Sequence, residues 1–228
     1  MLQEIIDCAV DSSTGIGELL RRCRIMASQL SNEELEKWLS GEMYGYPDDA
    51  QLPDYRIWPQ IIKGNFAGPL GASLMNTQIP PASIPQKWRE RVMAVHANDS
   101  ASAIEATLRE SDNAMIRTDQ GNLSVVLGSN VYSNANCISA WGEFHRSRFI
   151  GVIEAVRNRV LEFALALQGQ YPGIDSANEE ERIVPREWVN QGVHMLMTGG
   201  TLSIVGHTGD AVTSADVSSR LSEEQRGG

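Results

Sequence analysis

Ile138-Ser139-Ala140-Trp141-Gly142-Glu143-Phe144-His145-Arg146-Ser147-Arg148-Phe149-Ile150-Gly151-Val152-Ile153 opens a stretch that runs to Gln170 without a proline. The reading of this stretch decides the fold. Trp141, Phe144, Phe149, Ile150, Ile153, Val156, Val160, Leu161, Phe163, Ala164 and Leu167 recur on one broad face, and Gly142 and Gly151 are its weak points. The spacing predicts a single helix from about 138 to 170, close to 50 Å long at about 1.5 Å per residue. Such a rod would span the domain and organise its core.

Upstream, the chain reads as a helical bundle. Leu2, Ile5, Ile6, Ala9 and Val10 recur at helical spacing, and Thr14 can cap a second helix with Ile16, Leu19, Leu20, Cys23, Met26, Ala27 and Leu30 on its apolar stripe. Ser31 followed by Glu34 is a capping-box signature for a third helix, with Leu35, Trp38, Leu39 and Met43 facing inward. Short connections favour antiparallel neighbours. Tyr44-Gly45-Tyr46-Pro47-Asp48-Asp49 and Leu52-Pro53-Asp54-Tyr55-Arg56 then form a rigid connector, because each proline steers the residue before it out of a helix.

Residues 55 to 85 change texture. Ile57, Trp58, Ile61, Ile62 and Phe66 surround Pro59, which suits an edge strand, and Gly64, Gly68, Pro69, Gly71, Pro80, Pro81 and Pro85 mark a long ordered loop. Pro85 can open a helix through Trp88, Val92, Met93 and Val95, and Ser100 can cap another holding Ile104 and Leu108. Asn122 to Leu127 alternates as a short strand would. The fold class expected is mainly α: a multi-helix bundle with a long C-terminal helix, a small β or irregular insert (about 55–85 and 122–127) and a short C-terminal appendage. Its domains are a helical body over 1–171, an acidic linker over 172–185 and an appendage over 186–228.

At 228 residues with 42% hydrophobic and 21% charged, the composition is that of a globular protein. A net charge of −10 argues against a main task of wrapping a phosphate backbone. Residues 172–228 carry nine acids against four bases, so the C-terminal quarter supplies half of that excess. No apolar run reaches the length of a membrane span, and the first twenty residues lack a basic flank before an apolar core, so the cytoplasm is the expected compartment. Cys8, Cys23 and Cys137 are widely spaced and read as reduced thiols.

His96, His145, His194 and His207 stand outside metal-ligand spacings, and neither a nucleophile elbow nor a phosphate loop is present, so no metal and no cofactor is expected. Arg89 and Arg91 precede His96 with six and four residues between, a pattern that resembles the Arg-x4–6-His signature of the HEPN ribonucleases. An arginine to hold a phosphate and a histidine to move a proton are the parts needed to cut RNA through its 2′-hydroxyl. About one such match is expected by accident in a chain of this composition. On one continuous helix Arg89 and His96 would share a face. A second cluster, Arg146, Arg148, Arg157 and Arg159 beside His145, reads either as an anion or nucleic-acid groove or as solvated cations pairing with Glu143, Glu154 and Glu162. Tyr44, Tyr46 and Tyr55 read either as an interaction surface or as packed rings with bonded hydroxyls.

The connector, together with Lys63-Gly64-Asn65-Phe66, Gly68-Pro69, Ile138-Ser139-Ala140-Trp141 and the run Val156-Arg157-Asn158-Arg159-Val160-Leu161-Glu162-Phe163, resembles the AbiTii domain of bacteria over about residues 1 to 171. The resemblance implies abortive-infection defence against phage, with toxin or effector-linked roles, and supplies no catalytic residues. The glycine-bounded segment Gly199 to Val212, uncharged through Gly209 and carrying Leu202, Ile204 and Val205, is similar in texture to short β-forming assembly motifs at the ends of bacterial immune proteins. Three readings follow. The first is a defence protein acting through self-association, as a homo-oligomer, or through docking a defence-system partner or phage component. The second is a metal-independent ribonuclease toxin using Arg89 or Arg91 with His96. The third is a nucleic-acid sensor using the second arginine cluster.

Overall fold

The computed structural model describes residues 1–110, 112–176 and 183–199. Leu202, Ile204 and Val205 lie outside the described residues. The N-terminal helices form where the spacing predicts them, as α1 (Leu2–Val10), α2 (Ile16–Leu30) and α3 (Glu33–Tyr44). Their caps differ. Asn32 caps α3 by accepting from the Leu35 N–H at 3.0 Å, while Ser31 ends α2 in the left-handed region at φ 48°.

After a 3-10 turn at Asp54–Arg56 come β1 (Ile57–Pro59), β2 (Ile61–Ala67), β3 (Ser73–Gln78), α4 (Gln86–Met93), β4 (Ala94–His96) and α5 (Ala101–Glu110). Ser100 caps α5, its Oγ accepting from the Ala103 N–H at 3.2 Å. Then follow β5 (Met115–Asp119), α6 (Leu123–Leu127), β6 (Asn136–His145), α7 (Ser147–Gln170) and α8 (Arg186–Thr198). Among the described residues, four strands form one antiparallel sheet in the order β3-β2-β6-β5, and β1 pairs antiparallel with β4.

The expected helical bundle is therefore corrected to a mixed α/β fold with two antiparallel sheets. The expected rod is two elements, and only α7 is helical, at about 36 Å. The first eight residues of that expected rod, 138–145, belong to β6, which lies inside the sheet, bonded to β2 on one side and β5 on the other, with Glu143 opposite both Ile61 and Arg117. Gly142 makes this passage possible, since a Cβ there would run into the side chains of Gln60 and Thr118. At the corner, the Arg146 N–H donates to Ala114 O at 2.9 Å and its Nη2 to Leu108 O at 2.8 Å. Phe144 and Phe149 then bracket Trp58, with ring centroids 5.3 and 6.0 Å from it. Residues 122–127, expected as a strand, form the helix α6, which buries Leu123 and Leu127 against the sheet.

Two cores result. In the helical one, α7 places Val152, Val156, Val160, Phe163 and Leu167 among Ile5, Leu19, Leu20 and Leu39. α8, expected in the appendage, packs into this core through Val189, Val193 and Leu196, and Gly192 leaves room for the ring of Phe163. In the other, α4, through Val92, and α6, through Leu123 and Leu127, cover one face of the sheet over Ile62, Phe66 and Ile79. The alternate residues of β2, Ile61, Lys63, Asn65 and Ala67, are exposed or half-buried.

Candidate functional site

The tyrosine-rich connector folds around an ion pair. Glu42 lies on the apolar stripe of α3, and Gly45 (φ 94°) turns the chain so that Arg56 returns over it, both side chains fully buried. Arg56 Nε donates to Glu42 Oε1 at 2.9 Å and Nη2 to Oε2 at 2.5 Å. The hydroxyls of Tyr46 and Tyr55 donate to the same Oε1 at 2.8 and 2.6 Å, and Trp38 Nε1 donates to the Tyr55 oxygen at 3.2 Å. Burial, followed by the negative charge of Glu42, pushes both tyrosine hydroxyls well above their ordinary range. Burial works against the Arg56 charge, but its bonds to Glu42 outweigh that and raise its pKa. Gly41 leaves space for the Tyr46 ring, over which Arg56 sits 5.0 Å from the centroid. Tyr44 alone of the three tyrosines projects into solvent.

Arg56 also fixes what lies beyond it. Its Nη1 donates to Ala97 O at 2.6 Å and Asp99 O at 2.8 Å, while the Ala97 N–H donates to Arg56 O at 2.9 Å. The Tyr46 N–H donates to Asn98 O at 2.8 Å, and Asn98 Nδ2 donates to Asp48 Oδ1 at 3.2 Å. His96 and Asp48 are thereby placed at the wall of a cleft of about 1200 Å³.

This cleft runs between α4 with β4 on one side and the turn from β5 into α6 on the other. Trp88, Glu90, Arg91, Val92, Val95 and His96 face Thr118, Asp119, Gln120, Asn122, Leu123 and Val126. A chain of hydrogen bonds sets its floor: Gln120 Nε2 donates to Thr118 Oγ1 at 2.9 Å, Thr118 Oγ1 to Gln60 Oε1 at 2.7 Å, and Gln60 Nε2 to Val92 O at 2.9 Å. The structure brings Arg91 and His96 to the same cleft, both exposed. It does not bring Arg89, whose Nη2 donates to Ile84 O at 3.1 Å. The shared helical face expected for Arg89 and His96 is also corrected, because α4 ends at Met93 and His96 sits on β4 opposite Ile57. Chemically, the imidazole can move a proton and Arg91 can hold an anion. Asp48, Glu90 and Asp119 line the same cleft as Arg91 and disfavour a multiply charged anion there. Among the described residues no group of three or more His, Cys, Asp or Glu could hold a metal ion.

The second arginine cluster is dispersed. Arg157 is buried and donates to the carbonyls of Cys8, Asp11 and Thr14, closing the turn between α1 and α2. Arg159 donates to Leu196 O at 2.8 Å and Asp54 Oδ1 at 2.7 Å and lies over the Tyr55 ring, so it ties α8 to the connector. Arg146 holds the corner already described and Asp112 at 3.2 Å. Arg148 is exposed on α7. Glu143 pairs across the sheet with Lys63 at 2.5 Å and Arg117 at 3.4 Å, and the Lys63 bond leads in holding its carboxyl below the usual range.

One feature of the surface is legible in the sequence as an absence of charge. Residues 64–86 and 120–142 contain no Asp, Glu, Lys, Arg or His. At the chain's 21% charged, these two stretches together would carry about ten charges by composition alone. The fold brings them to one end of the molecule, where Phe66 lies opposite both Leu74 and Cys137. Leu70 there is fully exposed at φ 57°, and Leu74, Met75, Val125 and Ile138 are exposed too. β3 is an edge strand of this end. The Gly68 N–H donates to Ala72 O, and alternation from that pair turns the backbone groups of Ser73 and Met75 away from β2, before the register shifts where Met75 and Asn76 lie opposite Asn65. The other edge, β5, is guarded by Arg117 and Asp119.

Among the described residues no helix is long and apolar enough to cross a membrane. In comparison with known proteins, the AbiTii family model matches residues 1–191. No curated protein and no solved structure matches the chain.

Proposed function

Since this chain belongs to the AbiTii family, and so to abortive-infection defence against phage, we propose that it acts by self-association or by docking a partner at its uncharged end. The observation that carries this reading is the pairing of two charge-free stretches with exposed Leu70, Leu74, Met75 and Ile138 beside a strand edge that no strand among the described residues covers. Depletion of charge around exposed apolar side chains is what the centre of a protein interface requires, and it costs a free-standing surface solubility. The segment with Leu202, Ile204 and Val205 is a second assembly element in this reading. The test is size-exclusion chromatography with light scattering on the whole chain and on a chain lacking residues 200–212. A smaller particle after deletion supports the tail's part in assembly. Identical particles count against it.

A second reading, metal-independent ribonuclease, rests on Arg91 and His96 lining one cleft. His96 would take the proton of a 2′-hydroxyl as its oxygen attacks the adjacent phosphorus, Arg91 would steady the charge gathering on the phosphate, and the 5′-oxygen would leave as the P–O bond breaks, protonated by water or the imidazolium, giving a 2′,3′-cyclic phosphate. Purified protein incubated with RNA, compared with His96→Ala and Arg91→Ala, tests it. Cleavage lost in both but kept in Arg89→Ala, whose side chain turns away, supports a site in the cleft. Absent cleavage, or cleavage indifferent to His96→Ala, removes the reading.

A further inference from the structure

Resting on the reading of the uncharged end as an association surface, we infer that its occupant is a second copy of this chain, joined through antiparallel pairing of β3 with its symmetry mate. Two chains of net charge −10 repel wherever their charged surfaces meet. They approach at least cost where neither carries charge, and the two stretches 64–86 and 120–142 supply that place on both copies at once. A charged partner, by contrast, gains nothing from a face with no charge to complement.

Strand pairing about a two-fold axis is self-complementary, because each copy offers the same edge. The edge also fixes its own register. Asn76 leaves the strand at φ 52° with its N–H held by Asn65 Oδ1 at 2.8 Å, and the Gln78 carbonyl accepts from the Tyr132 hydroxyl at 3.0 Å. Pairing is thereby confined to residues 73–75. The outward backbone groups of Ser73 then meet those of Met75 in the other copy, where the Met75 carbonyl accepts from its own Thr77 hydroxyl at 3.3 Å and offers its second lone pair to the Ser73 N–H, and Leu74 faces Leu74 across the axis. The two sheets become one, running β6-β2-β3 into β3-β2-β6.

A non-hydrogen-bonded antiparallel pair brings its Cα atoms to about 4.5 Å, within reach of a disulfide. Residues two places out of register lie about 7–8 Å apart, beyond that reach. Sedimentation of the whole chain should therefore give a particle of at least twice the 25.0 kDa of one chain. Leu74→Lys, checked for folding by circular dichroism, should remove this association. Leu74→Cys under mild oxidation should give a covalent dimer, and Met75→Cys should not. Association unchanged in Leu74→Lys, or no cross-link through Leu74→Cys, overturns β3 pairing. If the unaltered chain is monomeric yet Leu74→Lys abolishes protection of cells against phage, the second copy is refuted while the association surface stands. A monomeric chain whose Leu74→Lys form protects fully refutes both.

Discussion

Replacing Arg56 by methionine keeps much of its apolar bulk and removes the cation bonded to the buried Glu42 carboxyl. The substitution also strips a donor from the carbonyls of Ala97 and Asp99, which set the loop beyond His96. Removing one partner of a buried ion pair costs about 3–5 kcal/mol, because the other charge stays behind without compensation. At roughly 2–4 °C per kcal/mol for a domain of this size, Tm should fall by about 6–20 °C. Glu42→Gln in the same background keeps an acceptor for Tyr46 and Tyr55 while removing the stranded charge. The double variant should therefore be more stable than Arg56→Met alone, with a coupling of about 1–3 kcal/mol. Urea unfolding of all four corners of the cycle, followed by circular dichroism, measures this. A loss below about 1 kcal/mol for Arg56→Met, or additivity within about 0.5 kcal/mol, would refute the claim that this pair holds the connector in place.

The remaining expectations are simpler. Gly142→Ala should cost about 1–3 kcal/mol, seen as a lower urea midpoint, because the added Cβ meets Gln60 and Thr118 where their hydrogen bond forms the cleft floor. Tyr46 and Tyr55 favour the protonated form when folded, so the unfolded chain ionises first, near pH 10. Their contribution is full below that pH and is lost as pH rises through the higher folded values. Between pH 8 and 11 the unaltered chain should lose more stability than Tyr46→Phe/Tyr55→Phe in urea titrations; parallel losses would contradict the assignment.

Helical periodicity made α1, α2 and α3 legible, because each buries one stripe and exposes the rest. It failed at 138–145 for a physical reason. Gly142, Glu143 and Phe144 are all buried, since β6 is central and covered on both sides at that point, and consecutive burial erases the alternation that marks a strand. Trp141 and Phe144, three apart, then imitate a helical stripe. The sign that could have corrected this is Gly142, which costs a helix and suits a close strand crossing. Alternation, the other period, misplaces residues 122–127 as a strand, because a five-residue helix shows little more than one turn of pattern.

The site was legible in part. Arg91 and His96 do share a cleft, while Arg89, two places before Arg91 on α4, turns to Ile84 O instead, and the passage from α4 into β4 that carries His96 off the helix has no marker beyond the β-branched Val95. Glu42 was overlooked although it stands four places after Trp38 and three after Leu39, on the buried stripe where an acid needs a partner. Arg146, Arg157 and Arg159 looked like a groove in sequence. Their guanidinium groups instead hold backbone carbonyls at three separate joints, which charge counting does not reveal.

Hydrogen exchange at the amides of Ser73 and Met75, followed across a protein dilution series, tests the central claim most directly. If copies join through β3, these two amides gain protection as concentration rises while those of β5 stay unchanged. Exchange at both that is the same at every concentration would contradict the account.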